Sequence, residues 1–388
     1  MPKLILIDPC LFNRIGHEYV MGKFICEEAR KHGYEPIILS NVKYEEEVQE
    51  EDVPVKPLFT TTPYSKFPKS LAYDKEIFRK GNREIFQLLM KHYPSSAVPA
   101  GSIILLPSGC NTLLLGLAQW LIRIKRADIK VRIVLRWPAD RRVFSKEYAE
   151  EFCKKACDMF KGLAGDIRFY ADSKSLVRYY VELTDIPFHL TPIGIQFDDA
   201  PAVQLAGQKP DLCFVFAGIP RFEKGITLLH HSIKPHLKRF PNDRFHIHTV
   251  TAPGMDEHFE QRFPNQVYTN SQFLNGRPYF EYLMSGDVVL IPYELSEYHL
   301  RTSHIFMEAL GLGRPVIVTK DSWMDEVLQE WDPAPGVVMK SWTGGALANA
   351  MRIVHKQRDV LFARAFELHT QIQEHHNPRT WFQSIILG

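Results

Sequence analysis

The stretch Phe214-Val215-Phe216-Ala217-Gly218-Ile219-Pro220-Arg221-Phe222-Glu223-Lys224-Gly225 passes from an apolar run, through a glycine, into a loop with two cations and then into a helical pattern. A strand that is apolar throughout belongs in a parallel sheet covered on both faces. The glycine at its end lets backbone approach a ligand, and Arg221 and Lys224 stand beside a helix N-terminus that itself favours anions. Arg offers a bidentate fork and Lys a compact point charge, a complementary pair for two phosphate groups. The plainer reading is two ordinary surface cations.

Working outward, the same alternation of apolar strands and amphipathic helices recurs on both sides. Upstream, strands are predicted at 4–7, 36–39, 102–106, 131–135, 167–171 and 188–191, with helices at 19–32, stopped by Gly33, and near 173–183. Downstream, strands are predicted at 212–217, 244–250, near Val267, and at 288–292, 315–319 and 336–340, with helices at 225–240, around 278–284 and at 303–311. The fold class is therefore α/β, with two doubly wound Rossmann-like domains. The expected boundaries are 1–195 for the first domain, with 371–388 returning to it, 196–209 for a linker and 210–370 for the second domain. The segment 46–95 reads as polar, aromatic and loop-rich, a candidate for function or mobility.

A second motif follows the first by about eighty residues: Arg301-Thr302-Ser303-His304-Ile305-Phe306-Met307-Glu308-Ala309-Leu310-Gly311-Leu312-Gly313-Arg314-Pro315-Val316. Ser303 is an N-cap, leaving first-turn N–H groups for an anion. Glu308 lies inside an otherwise apolar helix and needs a partner. The two hydroxyls of a ribose would satisfy it; a salt bridge to Arg314 or Lys320 is the alternative.

Composition narrows the classes. A chain of 388 residues with 45% hydrophobic and 24% charged residues is globular and long enough for two domains. Its apolar runs are too short to span a membrane, and its N-terminus lacks a signal-peptide pattern, so a cytoplasmic location is expected. Six cysteines without paired spacing argue against a zinc site. The histidine pairs 230/231 and 375/376 face different ways, and only His246 and His248 share a strand face, so no metal is expected. A net charge of +2 requires no nucleic acid. The basic run 123–146 is either a solvated helix end or a face for an anionic membrane surface, which would make the protein peripheral at the inner face of the membrane.

These motifs together resemble the retaining GT-B glycosyltransferases, family 4 in particular (glycosyl transferases group 1). The signature of that family is a G-x-x-x-x-x-K-G phosphate loop, matched by Gly218 to Gly225, followed by a Ser/Gly-rich turn, a Glu-Ala helix and G-x-P-V, matched by Ser303 to Val316. The resemblance implies two domains facing a central cleft. It assigns Arg221, Lys224 and Glu308 to the catalytic centre, with the two cations on the donor diphosphate and Glu308 on the ribose. Gly16, Gly218, Phe273, Leu274, Ser303, His304 and Ile305 would contact the donor, with Phe273 and Leu274 near the base. His17, Arg136 and Trp137 fall on the acceptor side. Two departures concern the sugar end: Leu300 stands where the first glutamate of the family's E-x7-E is found, and His304 where many relatives carry glycine.

The function implied is a retaining, metal-independent transfer of a sugar from a UDP- or GDP-sugar to an acceptor hydroxyl, without a bound cofactor. The expected partners are the nucleotide-sugar and a glycan or lipid-linked acceptor. Two competitors are kept: a sugar-nucleotide epimerase or phosphorylase of the same fold, and a catalytically idle binding or scaffold protein, which Leu300 favours.

Overall fold

The computed structural model describes residues 1–14, 17–44, 53–62, 70–207, 209–250 and 255–388. They divide into two units, Met1–Gly194 with Pro378–Gly388, and Ile195–Asn377.

In the first unit the elements run β1 (Lys3–Asp8), α1 (His17–Lys31), β2 (Glu35–Asn41), β3 (Val55–Phe59), α2 (Leu71–His92), β4 (Ile103–Leu106), α3 (Leu114–Ile124), β5 (Lys130–Leu135), α4 (Lys146–Lys161), β6 (Asp166–Ala171), α5 (Lys174–Thr184) and β7 (Phe188–Leu190). All neighbouring strands pair in parallel, in the order β3-β2-β1-β4-β5-β6-β7. Strands buried on both faces explain the unbroken apolar runs in β1 and β4. Ser173 caps α5 by accepting from the Leu176 N–H. The tail returns here: Trp381, Phe382, Ile385 and Ile386 join the core of Leu4, Leu6, Ile38 and Leu105.

In the second unit the elements are β8 (Cys213–Phe216), α6 (Ile226–Leu237), β9 (Arg244–His248), α7 (Met255–Arg262), β10 (Val267–Asn270), α8 (Gly276–Met284), β11 (Val288–Ile291), α9 (Leu295–Tyr298), α10 (His304–Gly311), β12 (Val316–Thr319), α11 (Trp323–Leu328), β13 (Gly336–Met339), α12 (Gly344–Lys356) and α13 (Arg358–His375). The parallel order is β10-β9-β8-β11-β12-β13, the doubly wound arrangement with its reversal between β8 and β11. Phe214, Phe216, Phe245, Val288 and Leu290 of the sheet pack with Leu347 and Met351 of α12.

Four expectations are corrected. Segment 46–95 is less loop-rich than its composition suggests: β3 and the 22-residue α2 lie in it, with Phe78, Ile85 and Leu89 buried along one face of the helix. The described residues of the expected linker 196–209, which are 196–207 and 209, are no loose linker but part of the second unit. Phe197 packs against Gly311 and stacks on Phe280, and the Gly207 N–H donates to Asp287 at 2.9 Å. The return to the first unit starts at Pro378 rather than at 371, because α13 continues to His375. The run 123–146 is not one basic face: Arg132 is fully buried, bonded to Asp166 at 2.7 Å and to the Ile385 carbonyl at 2.8 Å, and Arg126 is paired with Asp128 at 2.6 Å. No helix among the described residues is long and apolar enough to cross a membrane.

Candidate functional site

In doubly wound sheets the ligand crevice opens at the carboxyl ends of the strands flanking the reversal. In the second unit that point is shared by the loop after β8, which carries Gly218 to Gly225, and the loop after β11, which carries Pro292 and Tyr293. Two glycines shape it. Gly218 has φ +82°, and a Cβ there would stand 2.7 Å from Lys224 Nζ and 2.8 Å from Ile305 Cδ1. Gly225 has φ +81°, with space for a Cβ denied by the Pro292 carbonyl at 2.3 Å. Side chains rarely adopt such backbone, so both positions suit glycine. Gly225 also opens α6 without a side-chain cap, which leaves first-turn N–H groups to a ligand.

Lys224 is 8% exposed and makes no hydrogen bond or ion pair among the described residues; its ammonium lies 5.6 Å from the centroid of the Tyr293 ring. Burial, then the charges of Arg221 and Arg301, push its pKa down to about 7. Arg221 is half-buried and lies 3.3 Å from Glu223. Glu308 is brought to the same place on α10, whose N-cap Ser303 accepts from the Phe306 N–H at 3.3 Å. Its partner is neither Arg314 nor Lys320. Arg314 donates to the carbonyls of Gln204, Leu312 and Met284, and Lys320 lies 3.9 Å from Asp321. Instead the Tyr279 hydroxyl donates to Glu308 Oε2 at 2.6 Å. Burial raises the Glu308 carboxyl to about 7, against the pull of Tyr279 and Lys224. Tyr279 leaves Oε1 to accept from another hydroxyl.

Of the other expected donor contacts, Ile305 and His304 occupy the first turn of α10, and Phe273 and Leu274 the loop before α8, where Phe273 is 55% exposed. Gly16 lies outside the described residues, and His17 opens α1. In the first unit Arg136 Nε lies 3.2 Å from Asp172, and Trp137 is buried beneath the Arg141 guanidinium, 4.5 Å from its ring centre. His246 and His248 bond separately, to the Ser285 hydroxyl and the Gln272 carbonyl.

Sequence reasoning missed several groups. Tyr279 carries no local motif and meets Glu308 only where the fold brings α8 and α10 together. Arg301 belongs to the second motif, and its sequence context does not single it out. Asp8, at the carboxyl end of β1, is raised to about 7 by burial and then by Glu18. Asp243 accepts from both His236 Nε2 and His355 Nε2 at 2.7 Å, and their three ligand-type atoms lie within 4.8 Å of one another. Asp243 also accepts from the Leu212 N–H beside the amino end of β8, opposite the crevice, so it ties α6 and α12 to the sheet.

Residues 210–357 match the family model described as Glycosyl transferases group 1. Over those residues the second unit is similar to a group 1 glycosyl transferase domain. Across the whole chain the fold is GT-B, shared with solved structures at low identity. Sucrose-phosphate synthase from Thermosynechococcus elongatus aligns with a TM-score of 0.69 and 14% identity, covering 98% of this chain and 97% of that one. WaaG, a glycosyltransferase involved in lipopolysaccharide biosynthesis, aligns with a TM-score of 0.62 and 12% identity over 99% and 100%. HepE of Anabaena, in complex with UDP, aligns with a TM-score of 0.64 and 12% identity over 98% of each chain. No curated protein matches in sequence. The glycosyl transferase match spans both motifs, from the β8 loop to α10.

Proposed function

We propose that the protein is a retaining glycosyltransferase that takes a UDP- or GDP-sugar at the β8–β11 crevice and transfers the sugar to a hydroxyl of a glycan or lipid-linked acceptor. The observation that carries this reading is a buried Lys224, unpaired among the described residues, beside a carboxylate, Glu308, that those residues hold through one oxygen only. A buried lysine without an anion is costly, and a diphosphate is the anion that the adjoining α6 and α10 N-termini also favour.

In this reading Glu308 Oε1 accepts from the ribose hydroxyls while Lys224, Arg221 and the helix N–H groups hold the diphosphate. Charge grows on the leaving phosphate as the bond from the anomeric carbon to its oxygen breaks, and cations already in place stabilise it without reorganising. The acceptor oxygen bonds to the anomeric carbon on the same face, and its proton passes to the leaving phosphate. The cations supply the charge neutralisation that a metal ion would otherwise give. Asp8, Arg136 and Trp137 of the first unit are the acceptor-side candidates. HepE is described with UDP and UDP-glucose, and a trehalose-6-phosphate protein of E. coli with UDP-2-fluoro glucose, which makes UDP-sugars the first donors to test.

The test is a thermal-shift panel of nucleotides and sugar nucleotides, followed by an assay for slow release of free sugar from those that bind. A ligand specific to the folded state raises the midpoint with its concentration. Binding with sugar release, both lost in Lys224→Ala and Glu308→Ala, supports transfer. Binding without any turnover would favour the idle scaffold that Leu300 suggests, and no binding at all would remove the reading.

A further inference from the structure

The crevice contains a third cation. Arg301 precedes the Ser303 cap by two residues, and its guanidinium carbon lies 4.7 Å from the centroid of the Tyr298 ring. That ring packs 4.5 Å from Tyr293, whose other neighbour is the Lys224 ammonium at 5.6 Å. A pair of tyrosines therefore spaces two cations, and the Arg301 charge reaches Lys224 strongly enough to help depress it.

Arg301 Nη1 is buried and has no hydrogen-bond partner among the described residues. Glu297, one turn earlier on α9, makes no ion pair with it there, and its own Oε2 is also without a partner. Leu300 adds no carboxylate. A buried guanidinium donor without an acceptor is expensive unless a ligand supplies one.

The order of groups along α10 indicates which ligand atom that is. This step rests on the donor reading given above. Glu308, five residues into the helix from Ser303, lies about 7.5 Å from it along the axis at about 1.5 Å per residue. A nucleotide with its ribose at Glu308 and its diphosphate at Ser303 and Lys224 points its esterified sugar past the helix N-terminus, where Arg301 stands. The diphosphate already has Arg221, Lys224 and two helix N-termini. Arginine is the side chain best matched to a planar carboxylate, by two parallel N–H···O bonds.

We infer that the donor carries an acidic sugar, a nucleotide-linked uronic acid, and that Arg301 binds its carboxylate through the buried Nη1. Arg301 would then select among donors rather than hold the nucleotide.

Equilibrium binding to the full chain tests this, using UDP, GDP, UDP-glucose, UDP-glucuronic acid, UDP-galacturonic acid, GDP-mannose and GDP-mannuronic acid, with wild type, Arg301→Gln and Arg301→Lys. In the wild type at least one uronate is expected to bind about 10-fold or more tighter than its neutral counterpart. Arg301→Gln should erase that preference while the free diphosphate changes by less than about 3-fold, which also shows that the variant is folded; Arg301→Lys should keep part of it. If Arg301→Gln weakens the plain diphosphate as much as the uronate, Arg301 is a third diphosphate cation and the inference falls. Equal wild-type affinity for acidic and neutral sugars overturns it as well. Failure of both UDP and GDP to bind the wild type would instead remove the donor reading on which it rests.

Discussion

Replacing Lys224 with methionine should make the ligand-free protein more stable while it loses its nucleotide. Lys224 is 8% exposed, makes no ion pair among the described residues, and has its pKa depressed from 10.5 to about 7 by burial and by Arg221 and Arg301. A lysine depressed in this way weakens the fold at every pH below its unfolded value. The penalty is full below about 7 and vanishes as pH rises through 10.5. At pH 7 a shift of that size corresponds to a penalty of about 4 kcal/mol. Methionine keeps the unbranched stem over Tyr293 and removes the charge. Glu308 then loses a stabilising cation, which offsets part of the gain, so a net increase of about 2–4 kcal/mol is expected. For a domain of this size that is a midpoint rise of roughly 5–10 °C in calorimetry of the empty protein. The gain should shrink between pH 7 and pH 10. The same substitution should weaken UDP or GDP by about 100-fold, since a single charge contact of this kind is worth about 3 kcal/mol. A fall in the ligand-free midpoint would refute the reasoning, because Lys224 would then be a satisfied structural residue. Undiminished nucleotide binding would refute it too.

Gly218→Ala would put a methyl group 2.7 Å from Lys224 Nζ in backbone of positive φ; nucleotide affinity measured by calorimetry should fall about 10-fold or more, with a loss of about 1–3 kcal/mol in stability. Tyr279→Phe removes the bond that holds the Glu308 carboxyl down, so its pKa rises further above the ordinary range. Donor binding near pH 7 should then weaken by about 5-fold and recover as pH rises, and a pH series of dissociation constants checks this. Hydrogen bonds from His236 and His355, with the Leu212 N–H, hold the Asp243 carboxyl below its usual value despite burial. Its stabilising share is present above about 3.9 and is lost as pH falls through the folded-state value, so Asp243→Asn should cost about 2–4 kcal/mol in urea unfolding at pH 7 and flatten the acid limb. Arg132→Ala strips the fully buried guanidinium from Asp166 and from the tail carbonyl of Ile385, and should cost about 3–5 kcal/mol in the first unit.

The strands were legible because a parallel sheet covered on both faces demands consecutive apolar residues, as in Phe214–Phe216 and Val288–Ile291. Short-range motifs also marked out the Gly218–Gly225 loop and the Glu308 helix, since glycine, cation and cap residues act on their immediate neighbours. What escaped needs tertiary information. Helix α2 was hidden because polar residues and aromatics interleave in its sequence, and its buried stripe appears only against α3 and β3. Residues 196–207 read as a polar linker yet are tied to the second unit, because Asp287 and Arg358 bond the backbone of Gly207 from about 80 and 150 residues away. Tyr279 lies 29 residues before Glu308, and Asp243 lies 112 before His355; no local spacing announces either meeting. No neighbour of Arg301 in sequence announces that its Nη1 is buried without an acceptor among the described residues.

The central claim, that the β8–β11 crevice holds a nucleoside diphosphate by Lys224 and Glu308, is tested most directly by calorimetric titration of UDP and GDP into the wild type and Glu308→Ala. The account predicts one site per chain for at least one nucleotide in the wild type, weakened about 30-fold or more in the variant as the ribose loses its carboxylate. Equal affinity in the two proteins, or no binding of either nucleotide to the wild type, would contradict it.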